Sequence, residues 1–89
     1  MMIPELQRIV CAAIILKSGH IIASARHFDM LMRKQIDRCG LTIRGAEQGF
    51  IDQWGNFLSR EEAWIVAERQ EQIRKHTGPH GTLFSEDLY

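Results

Sequence analysis

Eighty-nine residues with eleven basic and eleven acidic side chains make one domain without a net field, which removes the whole-molecule electrostatic case for long nucleic acid or an anionic membrane surface. A chain of this length buries only about 60–65% of the surface it exposes when unfolded. With 45% hydrophobic residues, a homo-oligomeric interface is therefore the expected place for the apolar surplus. The longest apolar run, residues 9–16, is too short to cross a bilayer, and the opening MMIPELQR lacks the basic start and cleavage region of a signal peptide. The expected compartment is cytosolic.

IVCAAIIL at 9–16 is short, continuously apolar and rich in β-branched residues, which predicts a buried strand. Lys17-Ser18-Gly19-His20 turns the chain into a second strand, His20 to Ala25, closing an antiparallel hairpin. Phe28, Leu31, Met32, Gln35, Ile36 and Cys39 then follow helical spacing, with Asp29 at the start and Gly40 as the stop. After a loop containing Thr42 to Gly45, the segments Gln48–Asp52 and Asn56–Leu58 predict a second hairpin across Gln53-Trp54-Gly55.

Ser59-Arg60-Glu61-Glu62 has the form of a capping box and predicts a second helix. Its inward stripe reads Ala63, Val66, Ala67, Gln70 and Ile73, with an end near Lys75, before Thr77-Gly78-Pro79. Trp64 and Ile65 fall partly off the stripe and are assigned to a subunit interface. The tail, about 77–89, lacks a helical period, and Leu83, Phe84, Leu88 and Tyr89 argue that it docks. The expectation is a single α+β domain over 1–89, a small antiparallel sheet built from two hairpins and packed with two helices, in an oligomer.

Cys11 and Cys39 read as small hydrophobes, and His20, His27, His76 and His80 lack zinc spacing. Neither a metal nor a cofactor is expected. Arg60 opens a helix, where a cation meets the positive end of the dipole unless an anion joins it there; the alternative is pairing with Glu61 or Glu62. Arg26-His27 stands where the second strand meets the first helix. A guanidinium there can grip phosphate and His27 can donate or stack, although a capping histidine is the plainer reading of His27 alone.

Phe50, Trp54 and Phe57 lie close enough for one ring to serve a nucleobase, with Gln48, Asp52 and Asn56 for its edge. Phe50 is the preferred platform and the other rings are core. No nucleophile elbow, P-loop, zinc-protease motif or cysteine–base pair is present, and Glu61-Glu62 suit helix-start electrostatics, so the expectation is a protein without catalytic residues.

AAI at 12–14, RHFD at 26–29, EQGF at 47–50, GNFLSREEA at 55–63, QI at 72–73 and LFSEDLY at 83–89 succeed one another in an order that resembles the Thoeris anti-defence sponge proteins of the first type. The resemblance spans nearly the whole chain and rests on succession, since each piece alone is common. It implies a phage protein in the host bacterial cytoplasm that sequesters cyclic ADP-ribose isomers, and cyclic oligonucleotides at a second site, so that an immune effector is never activated. It also implies a homodimer, or a trimer of dimers, with enclosed pockets near the interface.

By that resemblance Arg60 meets phosphate, and Arg26 and Phe50 match family motifs. Asn56 stands where an arginine is frequent, which puts affinity and isomer choice in question. Physically, a doubly anionic ligand with an adenine face calls for a few arginines and a ring in an otherwise neutral protein. The rival class is a direct inhibitor of a defence complex such as a CRISPR effector, marked by an exposed patch of Trp64-Ile65 with Ser85 to Tyr89. A nucleotide-cleaving enzyme is the third.

Overall fold

Residues 4–40 and 42–88 are described by a computed structural model. The first apolar run becomes β1 (Ile9–Ile15) and the segment after the Lys17–His20 turn becomes β2 (Ile21–Ser24). The second hairpin is β3 (Glu47–Asp52) with β4 (Phe57–Ser59). All neighbours are antiparallel and the sheet order is β2-β1-β3-β4. Two hairpins placed side by side, with their first strands paired, thus form the α+β sheet expected from the sequence.

α1 (Met30–Cys39) starts at Asp29, whose carboxylate accepts from Met32 N at 2.9 Å and from the Ser24 hydroxyl at 2.6 Å. It stops at Gly40, which takes φ +64° and donates to the Ile36 carbonyl, a conformation that costs glycine little. α2 (Arg60–Arg69) begins with the complete capping box, Ser59 Oγ accepting from Glu62 N and Glu62 Oε1 accepting from Ser59 N. The predicted end near Lys75 is corrected to Arg69. Glu71 adopts φ +55°, Gln72 N donates to the Ala67 carbonyl and Glu71 N to the Glu68 carbonyl, the paired bonds of a Schellman stop. Gln72 then turns its side-chain amide onto β1, accepting from Ile9 N and donating to Ile9 O.

The register fixes which residues share a face. Ala12 pairs with Ser24 and Phe50, and Ile14 with Ile22 and Gln48, so these point one way, toward the helices. On that inner face Ile14, Ile22 and Met32 of α1 form one buried cluster. Ala12, Phe50, Leu83 and the α2 residues Ala63, Trp64, Val66 and Ala67 form another. Trp64, assigned from sequence to a subunit interface, is instead 5% exposed in this core, while Ile65 is 59% exposed. The one-residue step along a helix separates the two, and the tail covers the tryptophan's side.

The tail does dock. Leu83, Ser85 and Asp87 are buried, Leu83 N donates to the Arg60 carbonyl, and a single 3-10 turn spans Ser85–Asp87. Asp87 accepts from Thr77 N, Thr77 Oγ1 and Phe84 N at 2.7–2.9 Å. Burial alone would raise its carboxyl, but these hydrogen bonds hold it below the ordinary value. Tyr89 lies outside the described residues.

Candidate functional site

The open end of the β3–β4 hairpin brings the sequence-predicted cations together. Gly49 pairs with Ser59, so Gln48 and Arg60 are neighbours across the hairpin, and Arg60 Nη2 donates to Gln48 Oε1 at 2.7 Å. Its Nη1 donates to the Leu83 carbonyl at 2.8 Å, and the guanidinium lies 4.4 Å from the Phe84 ring centroid. Arg60 therefore bridges sheet and tail, and its hydrogen bonds run to neither Glu61 nor Glu62 among the described residues. Burial pulls its pKa down, against the fields of Glu86, Glu61 and Asp87.

The loop between β2 and α1 supplies the other half. Phe28 sits at φ +55°, uncommon for a bulky residue and costly by about 1–2 kcal/mol. The conformation is held because Asp29 accepts from Arg26 N and Phe28 O accepts from Arg33 Nε. This tight loop directs His27 onto the sheet, where Nε2 donates to the Gly49 carbonyl at 2.8 Å and the ring meets Phe50 edge-on at 5.2 Å. Burial is the largest influence on His27 and lowers its pKa; the Gly49 carbonyl opposes and the Arg60 charge adds to the lowering. Arg26 Nη1 reaches Glu86 Oε2 at 3.8 Å, both side chains being well exposed.

Arg26, His27, Phe50 and Arg60 thus converge, and Glu86 is the acidic group whose field touches both His27 and Arg60. Two sequence readings need correction. Phe50 is 0% exposed, because its inward position on β3 places it under α2; it offers no ring face to a base, and Phe84 is the ring beside the arginine. Asn56 is at the closed end of the hairpin, where Nδ2 donates to Asp52 Oδ2 and its backbone N to Asp52 Oδ1. It belongs to the turn that Asp52 organises, three residues along β3 from Gly49.

A second feature had no signal in the sequence. A cavity of 290 Å³ is lined by Arg8, Ile9, Val10, Glu71, Arg74 and Leu88, together with Gln72. No hydrogen bond or ion pair among the described residues engages the Arg8 and Arg74 guanidinium groups. Their approach follows from the Schellman stop and the Gln72 clasp on β1, which no local pattern announces. No group of three or more metal-ligating side chains is present among the described residues, and no described helix is long and apolar enough to cross a membrane.

Residues 8–89 match the family model described as phage T4 y16D protein. The chain belongs to this family. The match spans both hairpins, both helices and the docked tail, so the family extends over the whole fold from β1 onward. No curated protein and no solved structure matches the chain. The y16D description places the chain among phage proteins and names no ligand. The match is to y16D and not to the Thoeris sponges, so sequestration of a cyclic nucleotide is a matter for proposal.

Proposed function

We propose that this y16D-family chain is a non-catalytic anti-defence protein that binds and withholds cyclic nucleotide immune signals of the cyclic ADP-ribose type in the host cytoplasm. The observation that carries the reading is the convergence of two segments, Arg26-His27 and Arg60, around Glu86, with the Phe84 ring beside Arg60. A phosphate takes the place of Glu86 on Arg26 and of Gln48 on Arg60, both exchangeable contacts at the solvent margin. An adenine continues the stack that Phe84 and the guanidinium begin. The strained loop at Phe28 fits this reading, since strain of that kind clusters at ligand-holding sites. The rival marker, an exposed patch of Trp64, Ile65 and the tail, is not assembled, because Trp64, Ser85 and Asp87 are buried.

Calorimetry with cyclic ADP-ribose isomers tests the proposal. Arg26→Gln should weaken binding about 10–100-fold, the loss of one or two charge-assisted hydrogen bonds, without moving the melting temperature. Arg8→Gln/Arg74→Gln should bind as wild type. Ligand recovered intact after long incubation is expected of a sponge. Absence of binding by wild type to any isomer at about 100 μM sinks the proposal, and loss of binding only in the Arg8/Arg74 variant moves the site to that cavity.

A further inference from the structure

We infer that the cavity between the start of β1 and the segment after α2 is a second binding site, separate from the Arg26–Arg60 cluster, and that it takes a small zwitterion of the amino-acid type. Its frame is fixed by anchored backbone. Arg8 N donates to Gln53 Oε1 at 2.9 Å, the Gln72 amide spans Ile9 N and Ile9 O, and Arg74 N donates to the Asp87 carbonyl at 2.6 Å. The charged ends that line it are unspent: among the described residues, the side chains of Arg8, Glu71 and Arg74 make no hydrogen bond or ion pair. Two cations and an anion thus share one cavity without pairing to one another. Two irregular positions also turn their side chains to it. Glu71 holds φ +55°, a conformation that glycine adopts with less strain. Val10 lies where the β1–β3 register shifts between Ile9 and Cys11, and is 50% exposed. Backbone strain and bulges of this kind gather where ligands are held.

The charges select the ligand class. Arginine forks suit a carboxylate and a phosphate alike, but a phosphate dianion would stand against the Glu71 carboxylate, whereas an ammonium would use it. A carboxylate shared by Arg8 and Arg74, with an ammonium on Glu71, engages every charged group of the lining. Val10 and Leu88 offer apolar surface to a hydrocarbon side chain, and the Gln72 amide, spent on Ile9, makes no further demand. The 290 Å³ of space lies at the small end of ligand cavities, about 300–1,000 Å³, which suits an amino acid better than a dinucleotide. All three charged residues are exposed, so solvent weakens each pair and the affinity falls in the millimolar range.

Titration of the full chain by NMR tests the inference with three probes: L-leucine, leucinamide, which lacks the carboxylate, and 4-methylpentanoate, which lacks the ammonium. L-leucine should shift the Gln72 side-chain amide and the Val10 backbone amide, and each truncated probe should bind about 10-fold or more weakly. Arg8→Gln/Arg74→Gln should weaken L-leucine by about 10-fold or more. Glu71→Gln should weaken L-leucine while leaving 4-methylpentanoate at least as tight, a split that a change of structure alone would not produce. No shift at about 20 mM L-leucine overturns the inference, as does binding that all of these variants leave intact. Inorganic phosphate binding more tightly than L-leucine also overturns it, because the cavity is then a plain anion site. L-leucine at saturation should leave the affinity for cyclic ADP-ribose isomers unchanged, and displacement of the nucleotide overturns the separation of the two sites. The L-leucine titrations need no nucleotide, so failure here and failure of the Arg26–Arg60 reading are told apart.

Discussion

Among single residues, Asp87 is the one that organises the tail. It is 0% exposed, and its carboxylate ties Thr77 to Phe84 while its backbone carbonyl accepts from Arg74 N and Lys75 N. It therefore holds two extended segments that have no helix or strand of their own. Asp87→Asn keeps the shape but turns an amide donor toward backbone donors, leaving at least one buried group unpaired. The expected cost is about 2–3 kcal/mol, read as a shift in the urea midpoint with an unchanged slope. Because Leu83 and Phe84 contact Arg60, the same variant should also lose nucleotide affinity if the proposed site is correct, whereas Arg26→Gln should lose affinity alone.

Among the elements, the helix starts and both hairpins were legible because their signals are local: an apolar β-branched run, a glycine turn, and the Ser59–Glu62 box. The end of α2 was not, since the Schellman position that usually carries glycine carries Glu71 at φ +55°, and a sequence scan for a glycine stop passes over it. Glu71→Gly relieves a left-handed conformation that costs a residue with a side chain about 1 kcal/mol. Thermal denaturation should therefore show a gain of about 0.5–1 kcal/mol. If the variant is instead destabilised, the Schellman stop is not the native end of the helix. The cation cluster was half legible for the same reason. Arg60 and Arg26-His27 announce themselves at element ends, but the burial of Phe50 and the capture of Asn56 by Asp52 depend on the register of β3, which no single strand states.

For the whole molecule, burial and hydrogen bonding give the pH response one sign. Asp29 is lowered chiefly by the Ser24 hydroxyl, while Asp52 and Asp87 are lowered by hydrogen bonds that outweigh their burial. His27 is lowered by burial. A group whose folded pKa lies below its unfolded value leaves the unfolded chain holding more protons, so stability climbs with pH across that interval. For the carboxylates the contribution is complete above about 3.8 and is lost as pH falls through the lowered values. For His27 stability is complete above about 6.5 and declines as pH drops below it, with Arg60 favouring and Glu86 opposing that decline. The melting temperature should therefore fall in two steps, one that begins as pH drops below about 6.5 and another that begins below about 3.8. His27→Gln can still donate to the Gly49 carbonyl but cannot titrate, so it should flatten the first step and leave the second. A first step that persists in His27→Gln would place its origin in another group.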